Sequence, residues 1–152
     1  MSAPAVLTRD IPALIDLIAE RQARPFRWRR GQCCVSFMGS AVEAQTGVDV
    51  LADLPRWRNR KEALAVAEAE GGLIAAMDKR LSRIAPALAQ RGDIAGAPDD
   101  PANPQLDIRL MVIEGATLVA PGTNGLERQP RGVMAMAWSI AGLLDAEALS
   151  DG

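Results

Sequence analysis

The spacing of apolar residues changes near Pro86, and this change is what most constrains the fold. Before it, apolar residues recur three and four positions apart, as on one side of a helix. The predicted helices cover residues 8–23, 33–46, 60–70 and 73–83. After it come short apolar or alternating runs between turn residues, which are typical of strands. The predicted strands lie at residues 93–95, 106–113, 116–120, 126–129 and 135–140. Helices followed by antiparallel strands predict the α+β class.

Glycine, proline and small polar residues place the boundaries of these elements. Thr8 or Asp10 is expected to cap the first helix, and Gly47 is expected to end the second. Residues 97–104 are rich in proline and aspartate and predict a loop, while residues 114–115 and 121–125 predict turns.

Length and composition favour one globular domain. The chain has 152 residues, of which 49% are hydrophobic, and we expect a single domain over residues 1–141 with a tail over residues 142–152. Its net charge of −2 gives no general attraction to nucleic acid or to an anionic membrane. No apolar run is long enough to cross a bilayer, and the first residues lack the order of a signal peptide. The sequence therefore predicts synthesis in the cytoplasm and no membrane insertion.

The two cysteines, Cys33 and Cys34, are adjacent and open the second predicted helix. A disulfide between neighbours needs a strained geometry, and zinc-ligand spacing is absent, so we expect no structural bridge, metal or cofactor. The partial positive charge at a helix N-terminus lowers the pKa of a thiol there, as in thiol enzymes. The chain contains no histidine, however, so the usual general base is missing. The alternative for Cys33 is a small buried apolar residue.

Other candidate residues have simpler interpretations. Asp93 follows a glycine at a strand entrance, which is typical of a turn residue. Three further aspartates could suggest a metal site, although their proline-rich surroundings favour a solvated loop: Asp99, Asp100 and Asp107. The three tryptophans are interpreted as core or interface anchors: Trp28, Trp57 and Trp138.

Several short motifs occur in an order that suggests a family. They are Arg-Pro-Phe-Arg-Trp at residues 24–28, then residues 31–33, 46–47, 91–94, 114–115, 124–126 and 137–138. In this order, over residues 10–141, the chain resembles the NlpC-type cysteine peptidases, and more closely a phage and prophage family of that type. The resemblance implies a papain-like fold, in which a nucleophile helix packs on a small antiparallel sheet.

The chain departs from that family at the catalytic positions. The His-Asp pair that precedes the family's cysteine is Gly31-Gln32 here. Counted from Gly115, the position of the family's catalytic histidine falls near Arg109, within residues 107–110. Arginine stays protonated and cannot accept a proton, although its charge could lower the pKa of Cys33. The resemblance therefore implies a degenerate peptidase rather than a working one.

Three functions follow as expectations. The first is a structural or adaptor protein of a phage tail tip, located in the virion and bound to other tip, hub or baseplate proteins. The second is an active tail-associated peptidoglycan hydrolase that uses Cys33 on host cell wall. The third is a cytoplasmic α+β binding protein unrelated to phage.

Two segments are expected to hold the protein in an assembly. The tail after Trp138 has an apolar side made of Ile140, Leu143, Leu144 and Leu149. Residues 56–60 combine arginine and tryptophan, which dominate interface hot spots. The alternative for the tail is that it packs back on its own domain.

Overall fold

The computed structural model describes residues 8–28, 33–98 and 106–144, which form helices followed by strands. The helices are α1 (Ile11–Arg21), α2 (Cys34–Thr46), α3 (Arg60–Ala69) and α4 (Leu73–Arg80). The strands are β1 (Ser82–Ile84), β2 (Ile94–Ala97), β3 (Arg109–Ile113), β4 (Thr117–Gly122), β5 (Gly125–Pro130) and β6 (Met136–Ser139). Two short 3-10 turns, Pro86–Leu88 and Arg131–Val133, follow β1 and β5. No helix in these ranges has the length and apolar character needed to span a membrane.

Local capping explains where the helices begin and end. The Asp10 side chain accepts a hydrogen bond of 3.0 Å from the Ala13 amide, so Asp10 rather than Thr8 caps α1. Asn59 caps α3 in the same way through the Glu62 amide at 2.9 Å. Gly47 ends α2 with a positive φ of 79°, as predicted, because glycine adopts this conformation without steric cost.

α4 takes its N-terminal cap from a distant residue. Gly72, which precedes the helix, has no side chain with which to cap it. Instead the Asp107 carboxylate accepts hydrogen bonds from the Leu73 amide at 2.8 Å and the Ile74 amide at 3.1 Å. A carboxylate is favourable there because helix N-termini carry partial positive charge. Asp107 thus ties α4 to the segment that leads into β3.

The sheet confirms the α+β prediction. Six strands, every neighbouring pair antiparallel, lie in the order β1-β6-β2-β3-β4-β5 and form an open sheet. α2 packs against β3 and β4, so the cysteine-bearing helix does lie on the sheet as expected.

The two faces of the sheet carry different side chains. The face toward the helices, called the helix face here, presents Leu110, Val112, Val119 and Trp138 to residues of α1, α2 and α4. The opposite face is called the far face here. It presents four alanines, one methionine, one isoleucine and one leucine, which are Ala95, Ala97, Ala120, Ala137, Met111, Ile113 and Leu118. Alternate residues of each strand supply the two faces, as strand geometry requires.

Several predicted boundaries were wrong, among them α1, which covers Ile11–Arg21 rather than residues 8–23. The fourth helix ends at Arg80 rather than at residue 83, and Ser82–Ile84 instead pairs with β6 as β1. β3 begins at Arg109 rather than at residue 106. β4 runs on through Pro121 to Gly122, so the second hairpin turns at residues 123–124. Most of the predicted loop at residues 97–104 lies outside the described residues.

Asp93 is the junction between the N-terminal segment and the sheet. Its carboxylate, almost fully buried, pairs with Arg9 at 2.8 Å and accepts hydrogen bonds from the Gln90 amide at 2.8 Å and the Ile140 amide at 3.1 Å. The bond to Gln90 confirms the turn interpretation. The bonds to Arg9 and Ile140 join segments that are far apart in sequence.

Candidate functional site

Cys33 lies at the N-cap position of α2 and is buried. Only 4% of the residue is exposed, and its carbonyl accepts the Phe37 amide at 2.9 Å, which starts the helix. Its Sγ lies 3.3 Å from the Ser36 Oγ. Cys33 and Cys34 are both buried, and no disulfide joins them.

An apolar cavity of about 50 Å³ lies beside Cys33. Side chains of α2, α3, α4, β3 and the loop between α2 and α3 form its walls, among them Met38, Trp57, Val66, Leu73, Met77 and Leu110. The sequence analysis missed this cavity because its walls come from segments that are far apart in the chain. Space of this size admits a few waters or a small apolar group.

The two charged residues that line the cavity, Arg80 and Glu70, pair with each other. The Arg80 guanidinium, 10% exposed, lies 2.5 Å from Glu70 Oε1 and 2.9 Å from Asp53 Oδ2. Its Nε also donates to the Val50 carbonyl at 3.1 Å. The other residues that line the cavity offer an incoming group mainly apolar contacts.

The structure does not bring Arg109 into the cavity that Cys33 lines. Its neighbour Leu110 lines that cavity, and alternation along β3 places Arg109 on the far face. There its guanidinium donates to Glu127 at 3.3 Å and to the Pro121 carbonyl at 3.5 Å. The β3 residue that lines the same cavity as Cys33 is therefore apolar.

No described side chain that contacts the Cys33 thiol is a general base. Its one described polar contact, Ser36, carries a hydroxyl that does not accept a proton at neutral pH. The Glu70 carboxylate lines the same cavity but is paired with Arg80. The chain has no histidine. Within the described ranges, the arrangement can hold an apolar group next to a thiol that no base contacts.

The other candidates serve the fold. Asp107 caps α4, and in the described ranges no cluster of three or more His, Cys, Asp or Glu side chains could hold a metal ion. Asp99 and Asp100 lie outside those ranges. Trp57 and Trp138 are 4% and 0% exposed and belong to the core, while Trp28 lines the cavity and meets the Phe26 ring edge-on.

Trp138 is held by a charged pair at the edge of the helix face. Its Nε1 donates to Asp78 Oδ1 at 2.9 Å, and Arg83 donates to both oxygens of the same carboxylate while lying over the Trp138 ring. The hydrogen bonds from Arg83 and then Trp138 hold the pKa of Asp78 below its usual range.

The large apolar residues described in the two segments expected to bind partners pack against the core of the domain. Ile140 and Leu144 are 0% and 8% exposed, and Leu143 packs against the same core, so this part of the tail lies on its own domain. Leu149 falls outside the described residues. In residues 56–60 the anchor, Trp57, is buried. The described part of the tail thus follows the alternative interpretation, in which it packs back on its own domain, and partner binding by either segment stays a prediction.

Comparison with known proteins places the chain in a family. No curated protein matches it. The model of a family described as a domain of unknown function (DUF6950) matches residues 9–140, a range that begins before α1, includes Cys33 and ends after β6. Because this match covers most of the chain, the protein belongs to the DUF6950 family.

Proposed function

We propose that this protein is a structural or adaptor component of a phage tail tip whose papain-like, NlpC-type fold no longer performs chemistry. The environment of the Cys33 side chain is the observation that supports the loss of catalytic activity. The thiol is buried beside an apolar cavity, the β3 residue that lines this cavity is Leu110 rather than a base, and the chain has no histidine.

The fold and the motifs support the remainder of the proposal. A helix that starts at a cysteine and packs on an antiparallel sheet is the arrangement that the NlpC-type resemblance implies. The phage setting rests on the ordered motifs that begin at residues 24–28.

The test uses a phage that encodes this protein. We expect mass spectrometry of purified particles to find the chain in detached tails, and we expect Cys33→Ala to give the same number of plaques as the wild type. Absence of the chain from particles would contradict the location. A large drop in plaques with normal amounts of a folded Cys33→Ala chain would contradict the loss of chemistry.

The second candidate is an active peptidoglycan hydrolase, and one observation favours it. Cys33 lies at the N-cap of a 13-residue helix, the position where thiol enzymes hold their nucleophile. This candidate predicts that purified protein releases stem peptides from peptidoglycan and that Cys33→Ala abolishes the release. Release equal to a buffer control would exclude it.

A further inference from the structure

Four cations lie close together in the sequence where α3 begins. Residues 56–61 contain Arg56, Arg58, Arg60 and Lys61, and this stretch is called the basic segment here. The single acid within residues 54–67 is Glu62, so this part of the chain has a net charge of +3. The whole chain, by contrast, has a net charge of −2. Positive charge is therefore concentrated at this place.

A buried anchor and a helix cap fix the backbone of the basic segment. Trp57 is 4% exposed and lines the cavity, whereas all four cations are exposed. The Asn59 side chain accepts the Glu62 amide at 2.9 Å, and the Asn59 carbonyl accepts the Ala63 amide at 3.0 Å. Because the backbone is already ordered, a partner would lose little free energy in ordering it.

Glu62 neutralises one of the four cations. Its carboxylate accepts the Arg58 backbone amide at 3.0 Å and pairs with the Arg58 guanidinium at 3.3 Å. These hydrogen bonds hold the pKa of Glu62 below its usual range, so the carboxylate stays charged and occupied. In the part of the chain that the structure describes, no carboxylate pairs with Arg56 or Lys61. Their charges remain for a group outside the chain.

Two of the cations occupy positions that cost the helix stability. Arg60 and Lys61 are the first two residues of α3, and the partial positive charge of a helix N-terminus disfavours cations there. The N-termini of α1 and α4 have the carboxylates of Asp10 and Asp107 instead. Carboxylates supplied by a partner would turn this repulsion at α3 into attraction.

The surroundings of the basic segment favour an acidic protein segment over nucleic acid. Its one aromatic residue, Trp57, is buried and offers no ring on which a base could stack. The net charge of −2 gives no general attraction to a phosphate backbone that extends beyond the segment. A twofold contact between two copies of the segment would bring like charges together. A different protein with a short run of acids avoids all three difficulties.

We infer that the basic segment binds a short acidic segment of a neighbouring protein, whose Asp or Glu side chains pair with Arg56 and Lys61. The contact depends on charge, because Trp57 is not exposed to a partner. The inference rests on the proposed function for where this neighbour is found, which is the tail tip.

The first experiment compares incorporation into phage particles. We expect the double variant Arg56→Gln, Lys61→Gln to be incorporated about tenfold less than the wild type, because two charge pairs with the partner are lost. The matched control is Arg91→Gln, Lys79→Gln, which removes one arginine and one lysine at exposed positions outside the basic segment and should be incorporated normally.

Each other outcome of this comparison has a definite meaning. Normal incorporation of the first variant, or an equal drop in the control, would overturn the inference alone if the wild-type chain is present in particles. A wild-type chain that is absent from particles would overturn both the proposed function and this contact.

Urea unfolding separates a binding role of the basic segment from a structural one. Because Lys61 lies at the positive end of α3, we expect Arg56→Gln, Lys61→Gln to unfold at the same urea concentration as the wild type or at a higher one. A drop in incorporation together with an unfolding midpoint below that of the control would assign the segment to folding and overturn the inference.

Carbodiimide crosslinking tests the chemistry of the partner. This reagent joins a lysine amine to a carboxylate that contacts it, and the chain has two lysines, Lys61 and Lys79. In treated particles we expect an amide between Lys61 and an Asp or Glu of a different tail protein. Lys61→Arg should abolish this product and retain incorporation, because it keeps the charge and removes the amine. Lys79, which pairs with Glu70 at 3.7 Å within the domain, is the control and should give no such product. A product with a second copy of this chain, a product that nuclease removes, or no product at Lys61 would overturn the inference.

Discussion

The two faces of one sheet differ in how they are covered. On the helix face, large side chains such as Trp138 and Leu110 are buried under helices, and Cys33 lies among them beside the cavity. On the far face, small residues such as Ala95 and Ala137 lie under two short turns that leave Leu88 and Val133 exposed. Cys33, the residue that a peptidase would use as its nucleophile, is thus buried on the helix face. The exposed apolar residues Leu88 and Val133 lie in the turns that pack on the opposite face.

Trp138→Ala should show the largest difference between the faces. The residue is 0% exposed and its indole is held by Asp78, so truncation leaves a cavity and should lower the free energy of unfolding by about 4 kcal/mol. Leu88→Ala, at an exposed position in the first 3-10 turn, should change the free energy of unfolding by less than about 0.5 kcal/mol. Urea unfolding followed by far-UV circular dichroism measures both, and similar losses would remove the distinction between the faces.

Asp93→Ala should give the next largest effect, because the residue joins the N-terminal segment to the sheet. It leaves Arg9, 13% exposed, without its partner and two amides unsatisfied, so we expect a loss of about 3 kcal/mol. The control is Glu43→Gln, an exposed acid on α2, which should cost less than about 0.5 kcal/mol in the same unfolding experiment. A loss for Asp93→Ala no larger than the control's would contradict the structural role given to this carboxylate.

The sequence predicted those parts of the fold that local patterns control. The α2 helix was correct because apolar spacing and Gly47 mark its course and its end. β1 was missed because its three residues continue the helical pattern of α4, and a strand this short carries no periodicity of its own. Asp93 was correctly placed in a turn, but its pair with Arg9 joins residues 84 positions apart and has no local signal.

The candidate site was less predictable, because it depends on register. Counting from Gly115 led to Arg109, whereas the side chain that lines the cavity is that of Leu110. A shift of one residue along a strand moves a side chain to the opposite face of the sheet. Here that shift exchanges the charged Arg109 for the apolar Leu110 at the cavity. The cavity itself required the packing of four elements and a loop, which no single pattern indicates.

Glu114→Gln should have a smaller and pH-dependent effect on the helix-face side, where its partner Arg128 lies opposite Val119 and donates to Gln22. Partial burial raises the pKa of Glu114, but hydrogen bonds from Arg128 and Thr117 outweigh this, and the net pKa is lowered. A carboxyl with a lowered folded-state pKa stabilises the fold above its unfolded pKa of about 4.3, and this stabilisation is lost as the pH falls through the folded value.

We therefore expect Glu114→Gln to cost about 1 kcal/mol at neutral pH and less as the solution is acidified below the unfolded pKa. Urea unfolding of wild type and variant across this range gives the difference. The same difference at every pH would show that the hydrogen bonds do not depend on the carboxylate charge. Glu43→Gln again serves as the exposed control.

The most direct test of whether the Cys33 thiol is buried and inactive is its reactivity. In a Cys34→Ala background, with folding verified by circular dichroism, iodoacetamide labelling at neutral pH is followed by mass spectrometry. Because the thiol is 4% exposed, we expect it to react more slowly in the native protein than after unfolding in urea, and more slowly than free cysteine. Faster reaction than free cysteine, persisting at mildly acidic pH, would reveal an activated thiolate and contradict the account.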